Sequence, residues 1–171
     1  LEWHGRQLTL RPIRPEDEAR HVEFLTSLDP EDVRMRVFYS RRTMERSELA
    51  RLTQIDYTRE MAFIAVAPGA DGAPQTLGVA RAMADPDNIS AEFGIIVRSE
   101  LKGTGLGRLL MEKLITYLRA HGTQQLLATV LRDNARMLEL ASELGFRDAA
   151  VQPEFATRDI VLDLQRPVGP A

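Results

Sequence analysis

Residues 101 to 115 read LKGTGLGRLLMEKLI, with glycines at 103, 105 and 107 running into an apolar pattern of helical spacing. The first N–H groups of a helix have no intrahelical partner, and the aligned peptide dipoles add about half a positive charge there. Glycines let an anion approach the backbone without a Cβ in the way and permit positive φ where the loop turns. Lys102 and Arg108 add positive charge on either side. The chemistry this stretch offers is phosphate binding; a glycine-rich turn that binds nothing is the plain alternative. A dinucleotide fingerprint needs a parallel βαβ unit with an acidic residue about 20 positions on, and a P-loop needs Gly-Lys followed by Ser or Thr. Gly107 is followed by Arg108-Leu109, and the strands before it read as a meander, so neither fits.

A second candidate is Glu92 in AEFGIIV. Strand periodicity puts it on one face with Gly94 and Ile96, where a carboxylate in an apolar setting would have its pKa raised toward the range of a general base. The competing reading is a solvent-facing strand residue or a structural ion pair. Asp85 and Asp87 in DPDN are runners-up, in a spacing that is ordinary turn chemistry. His4, His21 and His121 lack metal-ligand spacing and read as surface residues, so no metal site is expected. His121 is favoured by the dipole at a helix C-terminus.

The elements that must position these groups follow from periodicity and breakers. RQLTLRPI (6–13) reads as a first strand, and Pro15 opens a helix through EDEARHVEFLTSL. DPEDVRMRVFYS and TMERSELARLTQI, headed by Asp29 and Thr43, read as two short helices. EMAFIAVA (60–67), TLGVARAMA (76–84) and SAEFGIIV (90–97) form an antiparallel meander across the turn-rich PGADGAPQ and DPDN. Leu106, Leu109, Leu110, Leu114, Tyr117 and Leu118 share one face of the helix after the glycine loop, which ends at His121-Gly122. QQLLATVL is a strand, DNARMLELASELGF a helix ending at Gly145, TRDIVLDL a last strand, and residues 147–151 a further short one. The fold class is α/β, with a mixed, mostly antiparallel sheet and helices on its faces.

The 171 residues, 44% of them hydrophobic, suffice for one domain with its own core, over residues 1–164, with RPVGPA in a disordered tail at 165–171. A net charge of -3 argues against a nucleic-acid partner, and the absence of cysteine fits a reducing cytoplasm. No apolar run reaches the roughly 20 residues that span a bilayer, so no membrane partner is expected. The first residue is Leu1 and no signal peptide precedes it, which reads as a piece of a longer chain.

IIVRSELKGTGLGRLLMEKLI, followed by DNARMLELASELGF, resembles the acetyl-CoA loop and second motif of the GNAT N-acetyltransferases. Lys102 takes the usual Arg/Gln position of R/Q-x-x-G-x-G/A, and Gly105 and Gly107 take its glycines. The resemblance runs from about residue 7 to 164. Within that superfamily, LTQIDYTREMAF, ADPDNISAEFGIIVRSELKGTGLGRLLMEKLITY and NARMLELASELGF resemble bacterial Pat-type protein lysine acetyltransferases, in several of which this domain is fused to a region like an ADP-forming acyl-CoA synthetase.

The resemblance implies acetyl-CoA as cosubstrate. Its pyrophosphate would lie on the amides of Thr104, Gly105, Leu106, Gly107, Arg108 and Leu109, within a binding set that also takes in Arg98, Lys102 and Gly103. Ile96 and Val97 would contact the pantetheine and acetyl group through their backbone. Asn134 either contacts coenzyme A or caps its helix. Glu92 would be the catalytic base. Where many members carry a general-acid Tyr, this chain has Ala141, so the acid is unidentified. The expected function is direct acetyl transfer to a protein lysine in a ternary complex, inactivating an AMP-forming acyl-CoA synthetase such as acetyl-CoA synthetase. The alternatives are a small-molecule amine acetyltransferase and a non-catalytic acetyl-CoA sensor. The acidic residues Glu60, Asp85, Asp87 and Glu92 are expected around the acceptor groove.

Overall fold

The computed structural model of the chain describes residues 1–31, 60–152 and 156–165. The helix expected at 43–55, all but the start of the one at 29–40, most of LTQIDYTREMAF and nearly all of the tail lie outside the described residues.

The expected first strand is divided. β1 (Glu2–Trp3) and β2 (Arg6–Gln7) form a hairpin of their own, and only β3 (Thr9–Pro12) joins the main sheet. The hairpin turns at His4 and Gly5, with φ of 48° and 74°. Two positive φ values give the turn whose twist matches paired strands, a local signal that the alternation of residues 6–13 conceals.

β4 (Glu60–Pro68), β5 (Pro74–Ala84), β6 (Ser90–Val97), β7 (Gln125–Leu131), β8 (Arg147–Asp148) and β9 (Thr157–Asp163) complete a seven-stranded sheet in the order β3-β4-β5-β6-β7-β9-β8. Only β6 and β7 run parallel. The meander and the mixed sheet are as the sequence predicts.

β4 is buried from Met61 to Ala67, without the polar alternation of a one-sided sheet, because helices cover both faces. Phe63, Ala65, Ala80 and Phe93 meet α2 (Leu106–Ala120), which buries Leu106, Leu110, Met111, Leu114, Ile115 and Leu118. At about 1.5–3 kcal/mol per fully buried apolar side chain, this stripe outweighs helix propensity in fixing α2. On the other face Ile64, Val79 and Ile96 meet Phe24 of α1 (Glu18–Thr26) and Leu28 beyond its end. His21 lies on that same helical face and is 2% exposed, which corrects its reading as a surface residue. α3 (Ala135–Leu144) buries only Met137 and Ala141.

Gly78 lets these layers close. A Cβ there would lie 2.9 Å from Val97 Cγ1 and 3.0 Å from Leu110 Cδ1, between β6 and α2. Two buried polar groups tie α1 down. Asp17, 1% exposed, accepts hydrogen bonds from Arg11 (2.6 and 2.9 Å), Arg20 (2.5 Å) and the amide of Arg14 (2.7 Å). Arg98, 3% exposed at the end of β6, donates to the Thr76 carbonyl, the Ser27 hydroxyl and Glu23.

Burial alone would raise the pKa of Asp17, but hydrogen bonds from Arg11, the Arg14 amide and Arg20 hold it at about 2, against an ordinary value of 3.8. Because the folded value lies below the unfolded one, the carboxylate stabilises the fold above about pH 4, and that contribution is lost as pH falls toward 2. Asp17→Asn is predicted to lower the unfolding free energy by about 2 kcal/mol at pH 7. The gap to wild type should narrow below pH 4, as read from urea unfolding at a series of pH values.

Candidate functional site

β6 and β7 pair only through Ser90↔Gln125, Ala91↔Leu126 and Glu92↔Leu127. Beyond that point β6 stays with β5 to Val97↔Gly78, and β7 stays with β9 to Leu131↔Thr157. The central strands therefore part. The Arg98 N–H donates to the Leu77 carbonyl at 2.8 Å, so even-numbered residues of this edge bond toward β5. Strand alternation turns the peptides of Ile95 and Val97 into the gap. Peptide groups in such a place need a partner.

A cavity of about 650 Å³ lies along the β6 side of the gap, beyond Glu92, which does not line it. Its walls are the end of β6, the loop from Leu101 to Gly107 and one side of α3. Gly103 and Gly105 have φ of 80° and 88°, a region that L side chains rarely adopt. Gly105 is the N-cap of α2 with no side-chain cap, and no acidic residue stands in the helix's first turn. Among the described residues, the N–H groups of Gly105, Leu106, Gly107 and Arg108 bond no other backbone group. Those of Thr104 and Leu109 donate to Leu101 and Gly105, which removes two of the six amides expected in the phosphate cradle. A Cβ on Gly107 would lie 3.7 Å from both Ile95 and Leu140, in the throat between β6 and α3.

α3 brings a second helix start to the same cavity. The Asn134 side-chain oxygen accepts from the Met137 amide at 3.2 Å, so Asn134 caps the helix and lines the cavity as well. Two positive helix ends thus converge. Arg136 adds a cation lying over the loop: a Cβ on Gly103 would come within 2.8 Å of its Nη1. Arg108, expected to supply charge, is instead engaged by Glu143 at 2.8 Å and Glu112 at 3.6 Å.

Of the residues expected to hold a cofactor, Ile96, Val97, Lys102, Gly103, Gly105, Gly107, Arg108 and Asn134 line the cavity. Ile96 does so while its peptide faces β5; the peptides facing the gap are those of Val97, which is in the expected set, and Ile95, which is not. Four do not line it. Arg98 is spent on α1 and β5, Thr104 turns its hydroxyl to the Leu101 carbonyl at 2.6 Å, Leu106 is fully buried and Leu109 packs on the core. Arg136, Met137 and Leu140 were also missed. Arg136 had a legible signal, since a cation in the first turn of a helix opposes the dipole, and such local conflicts mark functional positions.

Glu92 stands at the last β6–β7 pair, at the apex of the gap, but it is exposed. Among the described residues, the apolar cover on that face gathers near Ile96, Val79 and Ile64, where α1 packs. Register sets Glu60, Met83 and Glu92 side by side across β4, β5 and β6. Asp85 and Asp87 sit in the β5–β6 turn, where the Asp87 carboxylate accepts from the Ile89 amide at 3.0 Å, the turn chemistry expected of them.

Among the described residues no group of three or more His, Cys, Asp and Glu could hold a metal ion, and no helix is long and apolar enough to cross a membrane. The family described as an acetyltransferase (GNAT) domain matches residues 7–147. The acetyltransferase PA5475 of Pseudomonas aeruginosa is 30% identical over 142 residues, which are 83% of this chain and 76% of that protein. The acetyltransferase Pat of Mycolicibacterium smegmatis is also 30% identical over 142 residues, 82% of this chain but 41% of its relative. Among solved structures, the GNAT domain of S. lividans PAT superposes with a TM-score of 0.77 at 20% identity, covering 95% of this chain and 99% of that one. Spermidine N-acetyltransferase from Vibrio cholerae, in complex with CoA and spermine, gives 0.72 at 20% identity, covering 92% and 96%. With its glycine loop, parted central strands and matched domain, the chain belongs to the GNAT acetyltransferase family.

Proposed function

We propose that this chain transfers the acetyl group of acetyl-CoA to a lysine of a protein substrate, in a ternary complex. The observation that carries the reading is the meeting of three uncommitted helix-start amides, those of Gly105, Gly107 and Arg108, with the parted edge of β6 in one cavity. The residues fit the cosubstrate. The amides of Gly105, Gly107 and Arg108 suit a pyrophosphate, the glycines leave room for close approach, and Ile95 and Val97 turn peptides toward an amide-bearing pantetheine arm. Acetyl-CoA supplies an acetyl thioester, an acyl group with a good leaving thiolate.

The chain's own residues must then bring an amine to that thioester in neutral form. A free lysine has a pKa near 10.4, so about three pH units, roughly 4 kcal/mol, separate it from its nucleophilic state at neutrality. Glu92, at the apex of the gap, is the group we assign to take that proton, directly or through water; its exposure suits relay through solvent. The row containing Glu60 and Glu92 gives the sheet two carboxylates on one face, which would attract an ammonium before deprotonation.

The resemblance of the motifs to Pat-type protein lysine acetyltransferases supports a protein acceptor, and the feedback logic supports an AMP-forming acyl-CoA synthetase as that protein. Acetylating its adenylation lysine would remove a charge its chemistry uses, so abundant acetyl-CoA would silence an enzyme that makes it. The second reading is a small-amine acceptor, favoured by the spermidine enzyme's likeness in fold and by an acidic row that suits a polyamine equally well. Incubation with acetyl-CoA and acetyl-CoA synthetase, read by intact-protein mass spectrometry, separates the two. An acetyl-lysine on the synthetase supports the proposal. Ready acetylation of spermidine with none on the protein overturns it.

Two variants test the site. Gly107→Val should abolish acetyl-CoA binding in calorimetry while the fold persists, because the side chain fills the throat between Ile95 and Leu140. It is a cleaner probe than Gly105, where positive φ would add strain. Glu92→Gln should lower turnover by about 100-fold and leave acetyl-CoA affinity near that of wild type. Wild-type turnover in that variant would shift the proton transfer to another group.

A further inference from the structure

His4 lies 100 positions from the glycine loop in sequence, yet its Nε2 is 2.9 Å from the carbonyl oxygen of Thr104. A carbonyl only accepts, so the imidazole donates. We infer that His4 is a positioning residue for the phosphate cradle, aiming the Gly105 and Arg108 amides at the ligand by holding the Thr104 carbonyl away from both. The inference rests on the acetyl-CoA reading of the cavity.

Three features carry it. No cis peptide is present, and in a trans peptide the carbonyl of Thr104 and the N–H of Gly105 point in opposite directions. Fixing the first therefore fixes the second. The Thr104 carbonyl is also the acceptor that the Arg108 N–H would use if the helix ran one residue further back; the imidazole takes that acceptor, and the Arg108 N–H bonds no other backbone group. Finally, the peptide between residues 104 and 105 has a glycine on its C-terminal flank, Gly105 at φ of 88°. Glycines at such positions give a peptide little resistance to flipping, so an external hold matters there more than in an ordinary helix start.

The hairpin that carries His4 is itself anchored. Trp3 is 8% exposed within the main core, its ring edge-on to the imidazole with centroids 4.6 Å apart. Arg6, paired with Trp3 across the hairpin, donates to the Pro68 carbonyl at 2.8 Å. His4 also holds a positive φ, 48°, as only Asn88 at 58° does among the other described non-glycine residues. The tip is set so that its side chain meets the loop.

The test compares wild type, His4→Asn and His4→Gln. Asn-Gly is the preferred pair for this turn, so H4N keeps or tightens the hairpin while its shorter side chain stops short of Thr104. Gln places an N–H near the position of the imidazole Nε2. Calorimetry with acetyl-CoA should show H4N binding about three- to tenfold more weakly, with H4Q recovering most of the loss. Unfolding midpoints should not fall in H4N. With S-acetyl-pantetheine, a donor without phosphates, kcat/KM should be equal in wild type and H4N. Unchanged acetyl-CoA affinity in H4N overturns the inference, as does an equal loss with the phosphate-free donor, which would make the hairpin a support for the whole site. If wild type binds no acetyl-CoA, the cavity reading fails first and the inference falls with it.

Discussion

A sheet that opens in its middle leaves peptide groups with no neighbouring strand, and everything at this site answers to that fact. Past Glu92 the β7-facing edge of β6 has no ladder, although it borders a largely apolar wall. Unpaired peptides in such a setting are costly, and a closed sheet would avoid them. The opening persists because each strand is held on its outer side, β6 by β5 and β7 by β9. The gap is a property of the register and asks for a ligand that can act as the missing strand on one side and accept from helix-start amides at its end.

Much of this was legible in the chain. Apolar periodicity placed α2 and β6, and turn residues bounded the meander. The glycine spacing marked the cavity's floor. What the sequence hid was of two kinds. One was tertiary commitment: Arg98 and Arg108 stand in the expected binding set, and only the fold reveals that α1 and α3 supply their carboxylates. The other was backbone parity, since the choice between Ile95 and Ile96 depends on which edge of β6 pairs with β5. For Glu92, alternation gives the face of β6, but how far α1 reaches along that face is a matter of packing.

The histidines divide on the same lines. His21 looked like one of three surface residues, yet it shares a helical face with Phe24 and is buried with it. His121 keeps the helix-end place expected of it and stacks on Tyr117, with ring centroids 4.0 Å apart. The i, i+3 spacing to Phe24 puts His21 on the face of α1 that packs on the sheet, whereas His121 lies just past the end of α2 beside Tyr117 one turn earlier.

The two sides of the cavity differ in stiffness. On one side the end of β6 and the loop it feeds are bound to α1 and β5 through the buried Arg98, and the Ser99 hydroxyl accepts from the Asp29 amide at 2.9 Å. On the other side α3 buries two side chains where α2 buries six, and its link across the cavity is an ion pair with both partners about half exposed. Such pairs contribute between nothing and about 1 kcal/mol and weaken as salt is added. The cavity therefore has a fixed jaw that sets geometry and a compliant jaw that yields, and ionic strength acts more on the second than on the first, where the Arg98 end of the ion pair is buried and also bonded to neutral groups.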